Sequence, residues 1–210
     1  NTAGVPSAYA GAACAAGDFV TTVSASGALT CATPPSATAG AVTFIEQKTP
    51  TSTGTTTFSS LGSHKHLEIH WIARGTNATP SVDLRMQFNA DSGANYDTEL
   101  LYNSSATAAA AFEILAAASS SATVGTLPAS TATANRAGTG VIRINYYAGT
   151  TFNKSVTADT HWAQATTTTN INTRLFGATW RSTAAVTSIT LLLSAGNFDT
   201  GTTISLYAWD

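Results

Sequence analysis

The strongest constraint in this chain is a run of segments in which every second residue is large and apolar. In "HLEIHWIA", Leu67, Ile69 and Trp71 fall on one side while His66, Glu68 and His70 fall on the other. "VDLRMQF" repeats the pattern, with Leu84, Met86 and Phe88 set against Asp83, Arg85 and Gln87. A period of two is that of a strand with one buried face, whereas a helix would repeat its apolar positions about every 3.6 residues. "AVTFIEQK", "TTTFSSL", "YDTELLY", "GVIRINYY", "FNKSVTADTHWAQA", "INTRLFGATW", "VTSITLLLS" and "TTISLYAW" add segments rich in β-branched and aromatic residues between turn signals. Roughly nine to eleven short strands without β-α-β alternation predict an all-β fold, a jelly-roll-like β-sandwich.

Composition divides the chain near Pro34. Residues 1–40 hold both cysteines, few large apolar groups outside "DFVTTV", and end in "CATPPSATAG". They read as an extended N-terminal arm or attachment segment, without the basic start and Leu-rich centre of a signal peptide. Residues 41–210 carry the strand pattern and read as the sandwich domain. Within it, Ser104 to Gly140 is dominated by Ala, Ser and Thr, and "ATAAAAFEILAAA" suggests a short helix or a long surface excursion.

Charged residues make up 10% of the chain, and nine Lys and Arg against eleven Asp and Glu give a formal charge of −2. No cluster of cations is available to hold phosphates, which argues against nucleic acid as a partner. The longest apolar runs fall short of the roughly 20 residues that span a bilayer, so no membrane segment is expected.

Candidate chemistry is sparse. Cys14 and Cys31 bracket "AAGDFVTTVSASGALT"; one pair cannot form a four-thiolate zinc site. In an oxidising compartment the pair would close a hairpin turned at "SASG", and in a reducing one it would be two small buried side chains. His64, His66 and His70, with Glu68, share one strand face, but successive members are about 6.6 Å apart, so a metal would need ligands from another strand. The bland alternative is a row of polar-face or interface histidines. "NADSGANYD" places Asp91 and Asp97 in a loop that superficially resembles a calcium site. It lacks the D-x-[DN]-x-[DN]-G order and a terminal bidentate Glu, and a turn between strands explains its composition better. No G-x-S-x-G elbow and no phosphate-binding glycine loop occurs, and Asp83, Asp91, Asp97, Glu99, Asp159 and Asp199 offer carboxylates without a signature that selects a pair. No catalytic, cofactor-binding or metal residue is assigned, and no cofactor is expected.

"HLEIHWIARGTNATPSVDLRMQFNADSGANYD" resembles a pattern met in bacteriophage virion structural proteins. "GNFDTGTTISLYAWD" resembles the terminal strand of the same group, with Ala208 where a Gly is usual. "CAAGDFVTTVSASGALTC" is similar to segments that precede modules in phage fibre-like proteins. These matches span about half of the chain. The resemblance implies a non-enzymatic virion protein: a capsid decoration or cement protein, or a tail-fibre component, anchored by its arm to other virion proteins. By analogy it would be a homotrimer, with Trp162, Trp180 and Trp209 available to the subunit interface if they are not core. The alternative is a receptor- or carbohydrate-binding jelly roll that meets a host-surface glycan through loop aromatics such as Tyr96, Tyr147 or Trp162.

Overall fold

A computed structural model describes residues 14–15, 18–33, 42–104, 110–163 and 171–210. The chain divides into two compact units, Asn1–Ala39 and Gly40–Asp210. In the first, β1 (Phe19–Val23) pairs antiparallel with β2 (Leu29–Ala32). The turn falls at "SASG", as its composition predicts. Ser24 Oγ accepts from Ala28 N at 2.9 Å, Gly27 N donates to Ser24 O at 2.9 Å, and Gly27 takes a φ of 84° that favours a residue without Cβ. Cys14 and Cys31 form a disulfide with Cα atoms 5.6 Å apart. The described part of the arm is therefore a closed hairpin, not an extended strap; the connector 34–41 lies outside the described residues.

The second unit is all-β, and its described residues contain no helix. Its strands are β3 (Val42–Lys48), β4 (Thr55–Phe58), β5 (His66–Ala73), β6 (Ser81–Phe88), β7 (Tyr96–Ser104), β8 (Ala110–Ser119), β9 (Ala122–Pro128), β10 (Gly138–Asn145), β11 (Lys154–Ala163), β12 (Ile171–Trp180), β13 (Ile189–Leu193) and β14 (Thr203–Trp209). They form an eight-stranded sheet, β3-β14-β5-β10-β11-β12-β7-β8, and a four-stranded sheet, β4-β13-β6-β9, with every pairing antiparallel. Setting β7, β8, β11 and β12 aside and renumbering the rest in chain order, the two sheets read 1-8-3-6 and 2-7-4-5. The set-aside strands extend the larger sheet beyond β10.

The period-two pattern produces the core directly. Leu67, Ile69 and Trp71 of β5 and Leu84, Met86 and Phe88 of β6 are all buried, facing each other's sheet together with Ile142, Ile144, Phe176, Leu191 and Leu206. Their partners in the alternation turn to the surface, since a one-residue slip would invert every side chain.

The Ala-, Ser- and Thr-rich stretch departs from expectation. It contains two strands and no described helix: β8 pairs with β7 at the edge of the large sheet, and β9 is buried along its whole length. In β9 a small residue reflects close approach of the sheets. A Cβ on Gly125 of β9 would stand 3.0 Å from Trp71 Cζ2 and 3.2 Å from Thr160 Cγ2 of the facing sheet; within the large sheet, one on Gly140 would stand 2.3 Å from the Asp159 carbonyl oxygen of the neighbouring strand. Helix propensity is a weak prior, and here it yields to backbone pairing of β8 with β7.

Arg74, in the "ARG" turn after β5, fixes the loop that leads out of β9. Its guanidinium donates to the carbonyls of Thr133 at 3.1 Å, Arg136 at 2.7 Å, Ala132 at 2.9 Å and Ser130 at 3.4 Å. A planar fork with five N–H donors suits such a cage of backbone acceptors.

Candidate functional site

The outward face of the eight-stranded sheet carries most of the chain's polar chemistry. Register places Glu68 of β5 opposite Arg143 of β10, and His70 and Asp159 on either side of Val141. Arg143 Nε donates to Glu68 Oε2 at 3.1 Å and its Nη1 to Asp159 Oδ1 at 2.8 Å, so one guanidinium joins two carboxylates from different strands. The Asp159 carboxylate, followed by Glu68, holds Arg143 above its ordinary pKa. His70 Nε2 donates to Glu68 Oε1 at 2.5 Å, and its ring meets Tyr207 edge-on at 5.2 Å. Beside this network runs an open groove of about 490 Å³, lined among others by His70, Ile72, Thr139, Asp159, His161 and Thr173. Both carboxylates are engaged by one cation, an arrangement that ties three strands together.

The histidines predicted to share a strand face are each matched with a different group. His64 Nδ1 donates to the Asp210 carboxylate at 3.1 Å, His66 Nδ1 donates to Asn145 Oδ1 at 3.1 Å, and His70 pairs with Glu68. His161 lies 3.3 Å from Thr173 Oγ1. Among the described residues no three His, Cys, Asp or Glu side chains converge on a point that could hold an ion.

Asp91 and Asp97 also part company. Asp91 sits in the loop that carries the chain from β6 in one sheet to β7 in the other, so the segment is a crossover between sheets and not a hairpin return. Asn89 and Ala90 adopt φ of 53° and 57°, which turns the chain, and Asp91 organises the remainder of the loop. Its Oδ2 accepts from Trp180 Nε1 at 2.6 Å and from Asn95 Nδ2 at 3.0 Å, and its Oδ1 from Gly93 N at 2.8 Å. These donors, the indole first, hold the carboxyl below its ordinary pKa. Asp97 instead accepts from Ala118 N at 2.8 Å and lies 3.5 Å from Arg181 Nε.

The aromatic residues chosen from sequence for sugar stacking do not reach the surface. Tyr96, Tyr147 and Trp162 are buried, as is Trp180; of the three tryptophans considered for a subunit interface only Trp209 is exposed. Tyr96 Oη accepts from Phe88 N at 2.9 Å and donates to the Asp91 carbonyl at 3.1 Å, and burial pushes its phenol up to about 12. Tyr147 Oη donates to Gly62 O at 2.9 Å. These hydroxyls serve loops from within the core.

Exposed rings occur one residue away, in the β10–β11 connection. Tyr146 is 66% exposed and Phe152 80% exposed, at the rim of a cavity of about 420 Å³ lined by Asn145, Tyr146, Gly149, Thr151, Phe152, Asn153, Lys154 and Ser155. Gly149 N donates to Tyr146 O at 3.0 Å, Val186 N donates to Tyr147 O at 2.9 Å, and the Tyr146 ring packs edge-on against His66 with centroids 4.6 Å apart. Lys154, 3% exposed, donates from Nζ to the carbonyls of Phe152 at 3.0 Å and Thr183 at 3.3 Å. Both rings thus project from a pinned backbone. The sequence signal was the adjacent pair Tyr146-Tyr147, and strand alternation alone would have assigned one ring to each face; the φ of 48° at Tyr146 belongs to the turn that separates them.

No protein-family model matches this chain, and neither the curated proteins nor the solved structures compared with it gave a match.

Proposed function

We propose that this chain is a non-enzymatic structural module of a bacteriophage virion, a capsid decoration or cement protein or a fibre component, that assembles as a homotrimer and is attached through residues 1–40. The observation that carries the reading is the character of the first unit. It is a two-stranded hairpin closed by a disulfide, with Phe19, Val20 and Val23 exposed. Two strands alone have little independent stability, and apolar residues displayed on a stapled hairpin suit contact with a partner surface. The large unit supplies the rigid body. Its 1-8-3-6 and 2-7-4-5 strand orders support reading it as a jelly roll with β7–β8 and β11–β12 inserted on one flank. The resemblance of the β5–β7 region and of the last strand to phage virion proteins supports the same reading.

Deleting residues 1–40 tests it. The truncated protein should remain a folded trimer by solution mass and fail to enter particles; normal incorporation would overturn the attachment, and a monomer of the intact chain would overturn the trimer.

A second reading, a receptor- or carbohydrate-binding module, is favoured by one observation, the pair of exposed rings on the β10–β11 connection.

A further inference from the structure

The exposed rings of the β10–β11 connection belong to a longer strip on the outward face of the large sheet. Tyr146 packs on His66 of β5, and register sets His66 beside Trp209 of β14 and Trp209 beside Val42 of β3. In the adjacent row of the same face, Phe44 of β3 meets Tyr207 edge-on with ring centroids 5.6 Å apart. Phe152 extends the strip past Tyr146, with which it shares the cavity of about 420 Å³. Exposure is 80% at Phe152, 66% at Tyr146, 55% at Phe44, 50% at Val42 and 36% at Trp209. Since an aromatic side chain carries roughly 150–250 Å² of surface, these fractions leave about 500 Å² of mostly apolar surface in contact with water. The strip contains no Lys, Arg, Asp or Glu, and charges at its margin are met within the chain, Glu46 by Lys48 and Glu68 by Arg143.

We infer that this strip is where copies of the chain meet. The inference rests on the homotrimer of the first reading, and it takes up the rings that favour the second. A stable interface draws roughly 800 Å² from each partner, and contacts between identical copies are about 65% apolar, so self-association needs about 500 Å² of apolar surface per copy. The strip supplies that amount, and Phe, Tyr and Trp are the residue types that interface cores concentrate while charge is depleted there. Neutrality suits contact with a second copy, because a net charge repeated on every copy would repel. A ring of three needs two unlike surfaces on each copy, each meeting the other on its neighbour. The strip has unlike ends: a cavity flanked by two rings beside β10, and an apolar strand edge at β3, three strand spacings or about 14 Å away. In the ring, Val42 and Phe44 of one copy cover the cavity of the next.

The test is sedentation-equilibrium mass of the full chain, repeated with Phe44→Glu, Phe152→Glu and the double variant, one substitution at each end of the strip. Leu101→Glu is the control: Leu101 is 44% exposed on β7 of the same sheet, outside the strip. Each substitution in the strip should raise the dissociation constant about tenfold or more, and the double variant should be a monomer with the strand signal of the parent in circular dichroism. Leu101→Glu should keep the parent mass. A trimeric parent whose double variant is also trimeric would overturn this face and leave the trimer standing. Dissociation by Leu101→Glu in place of the strip variants would move the contact to another part of the sheet and overturn the inference. A parent that is monomeric throughout would overturn both, and a dimeric parent dissociated by the strip variants would support the face and overturn the count of three. Hydroxyl-radical labelling of the associated parent needs no substitution. Phe44, Tyr146 and Phe152 should be labelled several-fold less than their exposure in the single chain implies, and labelling in proportion to that exposure would overturn the strip.

Discussion

The indole N–H of Trp180 donates to the carboxylate of Asp91 at 2.6 Å, tying the last residue of β12 to the loop that passes from one sheet to the other. The same carboxylate closes its own turn through Gly93 and Asn95. Asp91→Ala leaves the indole donor of buried Trp180 unpartnered and a turn without its organiser, and should cost about 1–3 kcal/mol in chemical denaturation. The pH dependence has a defined sign. The folded-state pKa lies below the ordinary 3.8, so the stabilisation is complete above that value and is lost as pH falls through the folded pKa. Asp91→Asn should therefore show a smaller fall in Tm than the parent on acidification below about pH 4.

Tyr96 predicts the opposite end of the scale. Its buried phenol ionises at about 12 in the folded chain and at 10.0 when free, so its contribution is intact below pH 10 and is lost as pH rises toward 12. Tyr96→Phe should be about 1 kcal/mol less stable at pH 7, having lost the hydroxyl's bonds to Phe88 and Asp91, yet should lose less stability between pH 10 and 12. Urea midpoints across that range would decide it; parallel curves for the two proteins would show that Tyr96 is not the group responsible.

Arg74→Lys keeps the charge and removes the fork. Four carbonyls accept from this guanidinium, which is 15% exposed, and an ammonium cannot reach them in the same plane. A loss of about 2–3 kcal/mol is expected, with faster hydrogen exchange confined to residues 130–136. Uniform protection across the domain in the variant would count against the clamp.

Two glycines on neighbouring parts of one sheet should behave oppositely. Gly140→Ala drives a Cβ to 2.3 Å from the backbone oxygen of Asp159 and should cost roughly 1–3 kcal/mol or more. Gly177→Ala meets nothing within 4 Å and should be neutral or stabilising by up to about 1 kcal/mol. Thermal melts of the two variants side by side are sufficient.

Reduction of the Cys14–Cys31 bond, or Cys14→Ser with Cys31→Ser, should release exchange protection in residues 18–33 and leave the Tm of the sandwich unchanged. The bond spans 17 positions in sequence, and closing a loop of that size contributes about 3 kcal/mol by restricting the unfolded chain.

Most strands were legible because one face is buried and the other wet, as in β5 and β6, where apolar and polar residues alternate without interruption. β9 was not, because both of its faces are buried and its residues are small: Ala122, Thr123, Val124, Gly125 and Thr126 carry no contrast between sides. At the candidate sites, the turn chemistry of Asp91 could be read from composition. The partnership of Arg143 with Glu68 and Asp159 could not, because it depends on the register of three strands separated in sequence. Nor could sequence tell Tyr146 from Tyr147 or foresee that Trp162 lies beneath the sheet, since burial of an aromatic is decided by the neighbours that cover it.

The sheet order has a consequence in time. Among the described residues β3 pairs only with β14, and β4 only with β13, so the first strands of the sandwich to leave a ribosome find their partners among the last. β7 and β8 form a local hairpin early, but β7 can join its sheet only when β12 exists. A nascent chain that has not yet reached Thr203 therefore holds Val42 and Phe44 on an unpaired strand, the condition in which edges seek other chains. In crowded synthesis of many copies, the interval before β14 emerges is when this protein is most exposed to misassembly.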